Sequence, residues 1–154
     1  MIEFVVFGVP APKGSKSAFP FQRKDGTLGV AVIDAGKPNR QKDWARRVEE
    51  VVQELAANGT KPIAGPVSMS VDFYMPKPQS APKRRKTWPD RKPDIDKLLR
   101  ALLDPMSRVL IVDDARVVSV CARKAYADDE PLDQRPRAHV RVWPTAQVEK
   151  EDTQ

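Results

Sequence analysis

The chain has 154 residues, 40% of them hydrophobic, with 27 Lys plus Arg against 21 Asp plus Glu for a net charge of +6. That length suits one domain with a real core, and the hydrophobic share is too high for a mostly disordered chain. One cysteine excludes an internal disulfide, and one histidine excludes a histidine-based metal site or catalytic triad.

Residues 2–8 (IEFVVFG) are β-branched and aromatic and predict a strand that ends at Gly8-Val9-Pro10. Residues 10–29 read as a loop, because Pro10, Pro12, Gly14, Pro20, Gly26 and Gly29 break any regular pattern. That loop carries Lys13, Lys16, Arg23 and Lys24 against a single acid, Asp25. Residues 29–34 predict a short strand. Residues 40–57 predict a helix, with Trp44, Val48, Val51, Val52 and Leu55 on one stripe, Asn39 as its cap and Asn58-Gly59 as its end. Residues 67–75 alternate, so that Val67, Met69, Val71 and Phe73 share one buried face of a strand.

Residues 76–93 change character. Pro76, Pro78, Pro82, Pro89 and Pro93 forbid a helix interior or a central strand. Seven basic residues face one acid, Asp90, and Trp88 stands among them. Residues 94–104 then predict a second helix, whose Ile95, Leu98, Leu99 and Leu102 form a stripe for packing on a sheet. Residues 108–114 (RVLIVDD) and 115–127 (ARVVSVCARKAYA) predict strands separated by an acidic pair, with Cys121 as a small core residue. Residues 137–144 predict a last strand, in which Ala138, Val140 and Val142 alternate with His139, Arg141 and Trp143; His139 reads as a surface or interface side chain. A polar tail, 145–154, is expected to be disordered after a domain spanning 1–144. The order of elements argues for one α+β domain with two helices on a mixed or antiparallel sheet. No leader-like segment opens the sequence and no run of about 18 apolar residues occurs, so a soluble cytoplasmic protein with no membrane contact is expected.

The charges are unevenly placed. A basic chain of this size suits an anionic partner, most often nucleic acid, and Lys13, Lys16, Lys83, Arg84, Arg85, Lys86, Arg91 and Lys92 are the candidate phosphate contacts. Carboxylates nevertheless gather in one stretch: Asp94 and Asp96 at the mouth of the second helix, then Asp113 and Asp114. Residues two apart diverge on a helix, so both Asp94 and Asp96 can turn toward a common point only if Asp94 lies at or before the N-cap, in extended conformation. Each acid has a bland reading: Asp94 as a cap, Asp96 paired with Arg100, Asp113-Asp114 as a turn. Together they suggest a cation held between like charges, and hard oxygen ligands suit Mg²⁺ or Mn²⁺. Lys97 and Arg100, on the polar face of the same helix, are the natural cations for a developing phosphate charge.

The segment KPDIDKLLRALLD (92–104) followed by DDARVV (113–118) resembles the RusA-like Holliday junction resolvases, whose pattern is roughly D-[LIV]-D-N-x-x-K-x-x-x-D-x-L, a gap, then D-D-x-x-V. Asp94, Asp96, Leu99, Asp104 and the Asp113-Asp114 pair fall into register with it. The resemblance implies that Asp94, Asp96 and Asp114 are metal-binding catalytic aspartates, with Asp113 a less essential neighbour. It also implies a homodimer that binds a four-way DNA junction and nicks two strands symmetrically with Mg²⁺ or Mn²⁺, in the cytoplasm of a bacterial or phage-infected cell. Two positions depart from the pattern: Arg100 stands at the usual lysine and Lys97 at the usual asparagine. The competing readings are a nuclease for other branched or flapped DNA and a DNA-junction-binding protein that does not cut.

Overall fold

The computed structural model describes residues 1–14, 16–34 and 38–146. The expected phosphate contact by the Lys16 side chain and most of the expected tail (147–154) lie outside the described residues. Eight regular elements follow one another: β1 (Ile2–Phe7), β2 (Lys16–Gln22), β3 (Leu28–Asp34), α1 (Pro38–Ala57), β4 (Val67–Met75), α2 (Ile95–Met106), β5 (Val117–Tyr126) and β6 (Arg137–Pro144). A four-stranded sheet runs β1-β6-β4-β5, and β2 pairs with β3 in a separate hairpin. Within the main sheet β6 is antiparallel to β1 and β4, while β4 and β5 are parallel. This is a single α+β domain with a mixed sheet and two helices.

Both helices bury their stripes on one face of the sheet. Trp44, Val48 and Val52 from α1 join Leu98, Leu102 and Met106 from α2 against Met69, Val71, Phe73, Val140 and Val142, all at 1% exposure or less. Asn58 and Gly59 stop α1 as their sequence implies: Gly59 adopts φ 93, and the Thr60 N–H donates to the Leu55 carbonyl at 3.0 Å. The helix starts at Pro38, so Asn39 lies inside it and is not its cap.

Four further expectations are corrected. First, the loop at 10–29 contains β2, because a Pro such as Pro20 is tolerated in a two-stranded ribbon that need not bond on both edges. Second, residues 108–111 form a turn with isolated bridges to Ile63 and Ser107, not a strand. Arg108 adopts φ 69 there while Leu110 and Ile111 are fully buried, so a short apolar run marks a buried turn. Third, Cys121 is exposed, because β5 is an edge strand whose Val118 and Val120 also meet solvent. Fourth, β4 is buried on both faces: Ser68, Asp72 and Tyr74, opposite its apolar stripe, are each below 9% exposure. Asp72 is sheltered by ion pairs to Arg123 and Arg141, and His139 on the same side bonds Glu3 at 2.7 Å. The first residues of the expected tail are held, since the Thr145 N–H donates to the Pro66 carbonyl at 2.8 Å. No helix among the described residues is long and apolar enough to cross a membrane.

Candidate active site

The mouth of α2 is built by the stretch before it. Pro93 cannot extend the helix backward, and Asp94 takes extended angles (φ −70, ψ 140) at the N-cap position. Its carbonyl accepts the Leu98 N–H at 3.1 Å, but its side chain makes no capping bond. The bland reading of Asp94 as a cap is therefore not realised, and the carboxylate is left 48% exposed, 3.5 Å from the Lys97 ammonium. Asp96 follows in the first turn, exposed, and the ion pair with Arg100 that its spacing allows is not formed. Both acids gain from the positive end of the helix dipole.

Two straps hold this mouth in place. The Lys124 ammonium, from β5, donates to the carbonyls of Arg91 at 2.8 Å and Pro93 at 3.0 Å. Along α2, the Lys13 N–H donates to the Lys97 carbonyl at 3.2 Å and its ammonium pairs with Asp104. The Lys13 charge expected for phosphate thus has an acidic partner in the protein itself.

The second acidic pair lies where the chain leaves α2 for β5. The Asp113 carboxylate accepts the Ala115 N–H at 2.8 Å, the turn role its sequence allows. That bond, with the charges of Arg108 and Arg116, holds the Asp113 carboxyl below its usual range. Asp114 opens a short 3₁₀ turn, Asp114–Arg116, that packs against α2 and leaves its side chain exposed.

Among the described residues no three carboxylate, imidazole or thiolate groups converge into a ready-made metal cage. The donor set nevertheless fits a hard divalent cation. Magnesium keeps much of its water and is commonly bound through one or two carboxylates completed by substrate phosphate, not through an all-protein cage. Exposed carboxylates free of capping bonds, set beside cations, match that requirement.

Asp94 and Lys97 also line a groove of about 1370 Å³ that runs between the start of the chain, residues 75–93 and the end of β5. Of the candidate phosphate contacts, Arg85, Lys86, Arg91 and Lys92 line it. Lys83 borders a smaller hollow beside Asp128 and Asp129, and Arg84 is exposed outside both. Asp96, Arg100 and Asp114 do not border the groove. Sequence reasoning missed Arg40, Lys124 and Tyr126, which do. Lys124 was hidden because strand periodicity does not say which loop a strand's side chain will meet. Arg40 offered a weak signal, as an extra cation on the first turn of a helix.

The sequence pattern of endodeoxyribonuclease RusA matches residues 19–143. The uncharacterized protein YqaN of Bacillus subtilis (strain 168) is 27% identical over 153 residues, covering 92% of this chain and 94% of YqaN. Asp94, Asp96, Asp104, Asp113 and Asp114 all fall inside the matched segment, and the protein belongs to the RusA family of endodeoxyribonucleases.

Proposed function

We propose that the protein is a metal-dependent, structure-selective endonuclease that resolves four-way DNA junctions by paired, symmetric nicks. The observation that carries this reading is Asp94: extended, uncapped, half exposed, and lining a groove in which Arg85, Lys86, Arg91, Lys92, Lys97 and Lys124 also stand. Asp94, Asp96 and Asp114 are the residues that would hold Mg²⁺ or Mn²⁺; they form no ready-made cage in the free protein, so substrate phosphate would have to complete the site, where the ion would lower the pKa of a water and polarise a phosphate oxygen.

The chain's own groups do the rest. Arg85, Lys86, Arg91 and Lys92 take backbone phosphates and set the register of the strand, as cations in a groove do on any sequence. Lys97, paired with Asp94 at 3.5 Å in the free protein, is placed to shift its charge to the scissile phosphate as negative charge grows there. Arg100 stands one turn further along α2, exposed, and supports the same field at longer range. Symmetric cutting of a twofold junction calls for two copies of this site, so the active species is a homodimer.

The test is a synthetic four-way junction incubated with the protein in Mg²⁺ and in EDTA. Paired nicks in Mg²⁺ alone are expected, and Asp94→Asn should bind the junction but leave it uncut. A junction that is bound and never nicked in Mg²⁺ or Mn²⁺ would overturn the proposal.

A further inference from the structure

Among the groove's lining residues, one aromatic side chain is exposed and has no use in phosphate chemistry. Trp88 is 59% exposed, in a stretch that has no regular secondary structure. Its surroundings are nonetheless pinned. Lys77 and Asp129 form an ion pair at 2.5 Å with side chains only 5% and 9% exposed. The Lys77 ammonium also donates to the Arg85 carbonyl at 3.0 Å, and Asp129 accepts the Thr87 N–H at 3.2 Å. Lys86, between those two anchors, reaches toward Glu130 at 3.8 Å and lies 5.3 Å from the centre of the Trp88 ring. Pro89, on the other side, is buried. An indole left in water on an immobilised backbone is poised for a partner, because an unpinned loop would fold such a surface away.

The groove's chemistry selects that partner. Trp88 and Asp94 line the same hollow, among lysines and arginines that favour a polyanion. A cation beside an aromatic ring matches one nucleotide, phosphate to Lys86 and base to the indole. Resting on the nuclease reading above, we infer that Trp88 is a stacking platform for an unpaired or loosely stacked base of the DNA strand in the groove, and so a residue that selects branched over linear DNA. Bases in a continuous duplex must first be unstacked at a cost, whereas those at a branch point are already available.

The experiment uses the full chain in EDTA and a four-way junction carrying 2-aminopurine at the branch point, with a linear duplex of the same length as comparison. The wild type should quench the 2-aminopurine. Trp88→Ala should abolish the quench and weaken junction binding by roughly 5- to 150-fold, with duplex binding changed by no more than about twofold. Trp88→Phe, which keeps an aromatic face, should keep most of both and serves if the alanine variant folds poorly. Unchanged junction binding by Trp88→Ala, an equal loss on junction and duplex, or a change in sedimentation with the quench intact would each overturn the inference. Because binding is read without metal, a wild type that binds and quenches but never nicks in Mg²⁺ sinks the nuclease reading and leaves this one standing.

Discussion

Lys124→Met removes the strap that sets the mouth of α2 while keeping most of the aliphatic stem. The wild-type ammonium makes two bonds to carbonyls, at 2.8 Å to Arg91 and 3.0 Å to Pro93. Hydrogen bonds from a charged donor are worth about 1.5–3 kcal/mol each, and the bond to Arg91 is exposed enough for water to replace much of it. A loss of about 2–3 kcal/mol follows, which lowers the melting temperature of a domain this size by roughly 4–12 °C. The larger effect falls on chemistry. Pro93 directly precedes Asp94, and a displacement of about 1 Å at a catalytic group can cost on the order of 10² in rate. Single-turnover nicking of a four-way junction at saturating protein should therefore fall about 100-fold, with metal-free affinity reduced by no more than one phosphate contact. A variant that melts within about 1 °C of the wild type and nicks at its rate would refute the strap. So would a variant whose only change is a shallower salt dependence of binding, since Lys124 would then be a plain phosphate contact.

Other predictions follow from the same geometry. Lys97→Ala should lower the nicking rate on the order of 10²- to 10³-fold with little change in affinity, and Arg100→Ala should lower it less; the opposite order in a nicking time course would move the cationic role one turn along α2. Leu102→Ala, at a fully buried position, should cost about 2–5 kcal/mol as a lower urea midpoint at unchanged slope. Asp133 is held down to about 2 by the side chain and backbone N–H of Arg135, so its contribution to stability is present above the usual carboxylate range and is lost as pH falls from about 4 toward 2. Asp133→Asn should flatten the fall of melting temperature across that window by a small, salt-sensitive amount, and an unchanged slope at low salt would count against the pairing.

What the sequence disclosed depended on period and punctuation. Val67–Met75 and Arg137–Pro144 have the bounds their alternation predicts, and Asp94 takes the extended N-cap conformation that Pro93 and the Asp-x-Asp spacing require. Where no period exists, the reading failed. Apolar Val109 to Val112 had the composition of a strand, but the left-handed Arg108 turns the chain so that Leu110 and Ile111 reach the core from a bend. The site was legible as a list of acids but not as a groove, because its walls come from strand ends and from prolines whose path no local rule fixes. Lys77 and Asp129 are 52 positions apart, with no local pattern to join them, yet their pairing is what holds the wall bearing Trp88.

The proposed metal ligands, Lys97, Arg100 and Trp88 all lie on the one connection that makes β4 and β5 parallel. Parallel neighbours cannot be joined by a tight turn, so the chain must travel out and back, and here the passage from Met75 to Val117 carries the proline-rich wall, α2 and both acidic pairs. The sheet needs that passage only to begin and end in the right places. Lengthening its irregular first half costs little, since each doubling of a flexible loop adds about 0.6 kcal/mol of closure entropy. Groove depth and wall chemistry are thus free to diverge among descendants of this scaffold while strand order, helix packing and the acidic residues stay in place. If the wall between β4 and α2 sets the choice of DNA structure, exchanging that segment as a cassette between two members should shift that choice from one toward the other.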